Sequence, residues 1–329
     1  MKKFLIVLSA LCLSLSACSS PAPETLSPSD AGATTPQTPT NVEATTPQTP
    51  ANAGSVQNDG GGAVSFDGGN ISATGAVTVD GNAATITSAG SYEISGNLDD
   101  GVLVVNTKGD VTLILNNAEI RSSTVSPLQI KDADSVVIQL ADGSSNSLTG
   151  GSSQRSEDAA DPPDAALFSK SDLVISGDGA LEINAPYGDG IDSKDTLLIQ
   201  GGTIQVSASD DGVVGKDYFI MNGGTLSVMA GDDGIKATND TQVAMGYVEI
   251  NGGNISVKAD DEGIAAETSV TITGGTVLVE TENNGIKAGE LLKIDGGTVE
   301  IITDDDGLKY EAKQISPNAV VTVNGIPVS

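Results

Sequence analysis

Apolar and polar positions alternate along most of this chain, and the alternation recurs at a fixed step. Phe219 and Met221 precede one Gly-Gly pair, and Leu226 and Val228 follow it. Val248, Ile250, Ile255 and Val257 flank the next pair; then come Val270, Ile272, Val277 and Val279, then Leu292, Ile294, Val299 and Ile301. Short period-two runs of this kind predict strands with one buried face. The pairs Gly201-Gly202, Gly223-Gly224, Gly252-Gly253, Gly274-Gly275 and Gly296-Gly297 are spaced 22, 29, 22 and 22 residues apart. A second series, Gly190, Gly212, Gly234, Gly263, Gly285 and Gly307, steps by 22, 22, 29, 22 and 22. A third apolar position follows each of these: Ile191, Val213, Ile235, Ile264, Ile286 and Leu308.

Three short strands and three turns per 22-residue unit predict one winding of a parallel β-helix. Equivalent positions then stack at roughly 4.8 Å, and aliphatic ladders fill an interior that no single unit could bury alone. The longer step is one unit plus an insertion near Thr238–Tyr247. The pattern weakens upstream, where Leu173, Ile175, Leu181 and Ile183, then Val136–Leu140, Val111–Leu115 and Val102–Val105, read as strands of earlier windings. Eight to ten windings are expected in one all-β domain over 61–329. Gly150–Ala166 reads as an inserted surface loop, and Val320–Val323 with Ile326–Val328 as a closing cap.

The start of the chain reads differently. Lys2 and Lys3 precede an apolar run from Phe4 to Leu15, then Leu15-Ser16-Ala17-Cys18. Residues 1–17 read as a secretory signal peptide. Small residues before Cys18 resemble the lipobox of bacterial lipoproteins, which implies lipidation of Cys18 and an extracytoplasmic, membrane-anchored location. Residues 18–60 carry Thr-Thr-Pro-Gln-Thr-Pro twice, at Thr34–Pro39 and Thr45–Pro50, and almost no large apolar side chains. That composition predicts a disordered tether.

Composition narrows the chemistry. The chain has 329 residues, 44 Asp+Glu against 15 Lys+Arg, a formal charge of −29, no His and no Trp. A nucleic-acid partner is excluded by the missing basic face. Imidazole chemistry and a Trp sugar platform are excluded outright.

The acids cluster before the second glycine series: Gly188-Asp189-Gly190, Asp210-Asp211-Gly212, Asp232-Asp233-Gly234, Asp260-Asp261-Glu262-Gly263 and Asp304-Asp305-Asp306-Gly307. Asp before Gly is also ordinary turn chemistry. Stacking changes the reading, because two charges one strand spacing apart repel by roughly 3–4 kcal/mol at an effective dielectric near 20. An all-oxygen wall of this kind favours a hard cation, and calcium fits irregular oxygen geometry. The candidate ligands are Asp189, Asp192, Asp210, Asp211, Asp232, Asp233, Asp260, Asp261 and Glu262. Asn283-Asn284 interrupts the column. Lys194, Lys216, Lys236, Lys287 and Lys309 recur just past the turns. They read as charge compensation or as a row facing uronate carboxylates, with Lys194, Lys216 and Lys236 as the candidate ligand contacts.

The units Gly-Gly-Thr-Ile-Gln-Val-Ser-Ala, Asp-Asp-Gly-Ile-Lys-Ala and Gly-Asp-Gly-Ile-Asp-Ser-Lys resemble those of bacterial carbohydrate-binding β-helix proteins related to a clostridial cellulose- and polygalacturonate-binding protein. The resemblance runs from about residue 85 to the end. It implies a right-handed parallel β-helix, bound calcium and affinity for acidic polysaccharides, with similarity to pectate lyases. The expected function is therefore calcium-dependent binding of a uronate-containing polysaccharide by a monomer. Two alternatives stand beside it. One is a lyase, since Asp189-Gly-Ile-Asp192 resembles part of a pectate-lyase calcium motif, with Lys216 or Lys236 as base. The other is a purely structural surface protein.

Overall fold

The computed structural model describes residues 60–150 and 163–329, all within one unit of the chain, Gln48–Ser329. The expected signal peptide, Cys18, the tether up to residue 59, and residues 151–162 of the expected loop lie outside the described residues. The described chain is all-β, with no helix, and its strands form one 21-stranded and one 11-stranded sheet.

Each repeat supplies three strands. One repeat reads Ile191–Ser193, Thr196–Ile199 and Thr203–Ala208, and the next reads Val213–Gly215, Tyr218–Met221 and Thr225–Ala230. Equivalent strands pair in parallel: Ile191 opposes Val213, Leu197 opposes Phe219, and Ile204 opposes Leu226. The registers continue through Ile235, Ile264, Ile286 and Leu308, and through Val248, Val270 and Leu292. Upstream, Val111–Arg121 is one long strand. Its first half pairs with Ser135–Leu140 and its second with Ser145–Thr149. Asn117, at φ 55°, lies between those halves. Antiparallel pairing occurs only near the two ends of the described chain, as in Val64 with Ala73 and Val323 with Ile326.

Alternation along each strand decides what is buried. Leu197, Ile199, Ile204, Phe219, Met221 and Leu226 are wholly buried, while Gln205 and Thr225 between them are exposed. Stacked repeats turn these positions into continuous aliphatic files. Each fully buried side chain contributes about 1.5–3 kcal/mol relative to exposure. A second, smaller apolar cluster lies apart from this core: Leu198, Tyr218, Ile220 and Tyr247, with the two tyrosine rings stacked at 5.1 Å. Met245 packs against it from residues 238–246, which account for the longer 29-residue step. Those residues are tied back by Asn239, whose Nδ2 donates to Asp217 Oδ1 and whose Oδ1 accepts from the N–H groups of Thr241 and Gln242.

The second glycine series owes its identity to space. The turn-chemistry reading expects glycine to supply positive φ, yet Gly190, Gly212, Gly234, Gly263, Gly285 and Gly307 do not adopt it. A Cβ on Gly234 would lie 2.2 Å from Val257 Cγ1 and 2.5 Å from the Gly263 carbonyl oxygen. The turn that carries the acids is thus pressed flat against the core and the neighbouring repeat.

Candidate functional site

The acidic turns come together on one edge. In the position before each glycine, Asp189, Asp211, Asp233, Glu262 and Asn284 stack in order. Backbone bonds set the register: Gly190 N–H donates to Asp211 O, Gly212 N–H to Asp233 O, and Gly234 N–H to Glu262 O. Side chains add a second series. Asp189 Oδ1 accepts from Asp211 N–H at 3.1 Å, Asp211 Oδ1 from Asp233 N–H at 3.2 Å, and Asp233 Oδ1 from Glu262 N–H at 3.0 Å. Each carboxylate therefore clasps the following repeat, a structural role that spacing alone did not disclose.

Three groups bring carboxylate oxygens within 4.8 Å of one another: Asp164, Asp189 and Asp192; Asp210, Asp211 and Asp232; and Asp232, Asp233 and Asp261. Of the nine residues expected as ligands, seven fall in these groups. Glu262 stands at the same edge but pairs with Lys287 at 2.7 Å. Asp260 is exposed and outside the groups. Asp164 joins them although the sequence reading assigned it to a loop. Since Leu167 opposes Ile191, Asp164 occupies the position that Asp210 holds two repeats later. The signal was present as Asp164-Ala-Ala-Leu167 aligned with Asp210-Asp-Gly-Val213, hidden by alanine where the glycine recurs.

The lysines expected as one row occupy two files. Lys236, Lys287 and Lys309 each follow the apolar residue directly and stand in one register with Asp192. Lys236 is bound into the acid edge, on Asp211 and, at 3.3 Å, on Asp233. Despite the opposing effect of burial, these carboxylates raise its pKa. Lys236 therefore stays protonated, which is unsuited to a base that must accept a proton. Lys194 and Lys216 stand two residues further along; Lys194 bridges Asp192 at 2.8 Å, and Lys216 is exposed.

Burial and crowding leave their mark on Asp189, whose pKa is pushed up to about 8, first by desolvation and then by Asp211, Asp192, Asp164 and Asp210. Asp211 and Asp232 are also raised, chiefly by burial. For Asp189 the folded value lies above the ordinary 3.8, so the stability it contributes is complete below about pH 4 and is lost as pH rises through about 8. Asp189→Asn keeps the acceptor for Asp211 N–H but has nothing to ionise. In chelator, the wild-type melting temperature should fall between pH 5 and pH 8 more steeply than that of Asp189→Asn. Parallel slopes would refute the assignment.

Comparison with known proteins fits this edge into a family. The family described as carbohydrate-binding domain-containing protein matches residues 80–325. The chain belongs to that family. A curated carbohydrate-binding domain-containing protein of Acetivibrio thermocellus is 37% identical over 126 residues, which cover 37% of this chain and 44% of the relative. The match thus spans less than half the length of that relative. The solved structure of a polysaccharide lyase-like protein from C. thermocellum, a gadolinium derivative, aligns with a TM-score of 0.63 and 28% identity. That alignment covers 80% of this chain and 96% of the other. The family match takes in all three carboxylate groups of the carbohydrate-binding domain.

Proposed function

We propose that this carbohydrate-binding domain winds as a right-handed parallel β-helix and binds an acidic, uronate-containing polysaccharide with calcium on its acid edge. Lipidated Cys18 and the Ser/Thr/Pro-rich tether would hold it outside the cytoplasm at a bacterial membrane. The observation that carries this reading is the run of three carboxylate groups, each within 4.8 Å, along one edge of a chain in a carbohydrate-binding family. The donor set fits the metal: it is all oxygen, several donors are buried, and Asp189 stands among four other carboxylates that disfavour its charge. Asp164, Asp189 and Asp192 would hold one ion, and Asp210, Asp211 and Asp232 another. Bound calcium supplies positive charge that both protein and glycan carboxylates can share. The protein's own residues orient those carboxylates through the clasps between repeats.

The full chain should co-sediment with polygalacturonate in calcium and lose that binding in chelator, without a rise in ultraviolet absorbance from unsaturated product. Absence of binding in both conditions would overturn the reading. A calcium-dependent absorbance rise would replace it with a lyase.

A further inference from the structure

One turn on the acid edge is longer than those that follow it. Parallel pairing sets Ala185 against Ala208 and Ile191 against Val213. The chain takes six steps from Ala185 to Ile191 but only five from Ala208 to Val213. Later turns keep the shorter form, as from Ala230 to Ile235, Ala259 to Ile264 and Thr281 to Ile286. The extra residue lies in Pro186-Tyr187-Gly188, just before Asp189. Winding does not require it, since the later turns fold without an equivalent.

Tyr187 is 51% exposed. Tyr92, Tyr218, Tyr247, Phe66, Phe168 and Phe219 are all buried, and Tyr310, at 39%, lies under the Lys313 ammonium. Tyr187 is thus the most exposed aromatic ring among the described residues. The backbone beside it is fixed. Gly188 adopts φ 83°, and a Cβ there would lie 2.2 Å from the Asp164 carbonyl oxygen. Its N–H donates to Ser209 Oγ at 3.0 Å, and its carbonyl accepts from Asp210 N–H at 3.2 Å. Asp164 belongs to the first carboxylate group and Asp210 to the second. The residue after Tyr187 is therefore wedged between the two groups, and Pro186 restricts the backbone on the other side.

We infer that Tyr187 is the sugar-stacking residue of the acid edge, the group that lets this site select a pyranose ring over any other carboxylate. The inference rests on the reading of the edge as a calcium-dependent site for uronates. A bound ion attracts carboxylates of every kind and does not read what they are attached to. A tyrosine face does, because its electron-rich surface accepts the C–H groups of a sugar ring. Galacturonate offers such a surface on the side opposite its axial 4-hydroxyl. Tyrosine supplies this contact area while losing only two side-chain torsions, and the rigid turn lowers the cost of ordering further. The chain has no Trp, so this role falls to tyrosine.

Calorimetry of the full chain with oligogalacturonate in calcium tests the assignment. Tyr187→Ala should bind about tenfold more weakly than wild type, and Tyr187→Phe should retain most of the affinity, since the ring face and not the hydroxyl makes the contact. Titration with calcium alone should be the same in all three. Tyr187→Trp introduces a lone indole whose emission should shift to the blue when oligogalacturonate is added in calcium, and stay fixed when calcium is added alone. Wild-type binding with undiminished affinity in Tyr187→Ala overturns this inference and leaves the calcium-dependent reading standing. So does an indole that the glycan leaves unmoved. Weaker calcium binding by Tyr187→Ala would make the residue a support for the ion, which also overturns it. No binding by the wild type overturns both the inference and the reading beneath it.

Discussion

Lys236→Met should lower the melting temperature in chelator by about 5–10 °C, and added calcium should restore much of the loss. Lys236 holds Asp211 and Asp233, which belong to successive repeats, and the three side chains are only 21%, 10% and 13% exposed. Methionine keeps the stem and removes the charge. Two crowded carboxylates are then left facing Asp210 and Asp232 without their internal cation. Deleting one partner of a fully buried pair costs about 3–5 kcal/mol, and partial exposure here reduces that to about 2–3. For a domain of this size each kcal/mol shifts the melting temperature by about 2–4 °C. Because the lysine pKa is raised, its contribution is complete throughout neutral pH and is lost only in strong alkali. The deficit should nonetheless be larger at pH 8 than at pH 6, because Asp211, already raised by burial, loses the ammonium that holds its carboxyl down and is relieved by protonation at the lower pH. A divalent ion can take over the role of the missing ammonium, which is why calcium separates this variant from one that merely packs badly. A variant as stable as wild type in chelator would show that the pair contributes nothing, as many exposed pairs do.

Gly234→Ala should destabilise by about 3 kcal/mol or prevent folding altogether, the upper end of the range for overpacking. The added methyl meets Val257 Cγ1, which can rotate, and the Gly263 carbonyl, which cannot move alone because it accepts from Ile235 N–H at 3.1 Å. Relief requires shifting a ladder bond and the acid turn with it. Gly69→Ala is the control, since nothing lies within 4 Å of its Cβ and its φ is not positive. Thermal melts of the two variants decide the matter, and similar transitions in both would remove the steric account of the glycine series.

Much of the fold was legible because stacking repeats the same demand. A buried file needs an aliphatic residue at each storey, so Leu197, Phe219, Val248, Val270 and Leu292 announce their shared register through spacing alone. The site was legible only in outline. Asp210, Asp211, Asp232 and Asp233 declare themselves beside a recurring glycine, whereas Asp164 lacks that flag. Lys194 and Lys236 look equivalent in a list of residues past a turn. A difference of two positions puts Lys236 on Asp211 and Asp233 and Lys194 on Asp192. Period counting sees which residues recur, but side-chain direction depends on where each strand ends.

The clasps between acidic turns all point the same way: the earlier repeat accepts and the later one donates. This gives the edge a polarity like that of overlapping roof tiles. Damage to one carboxylate loosens the storey above it while the one below keeps its own fastening, so wear along this wall travels in a single direction.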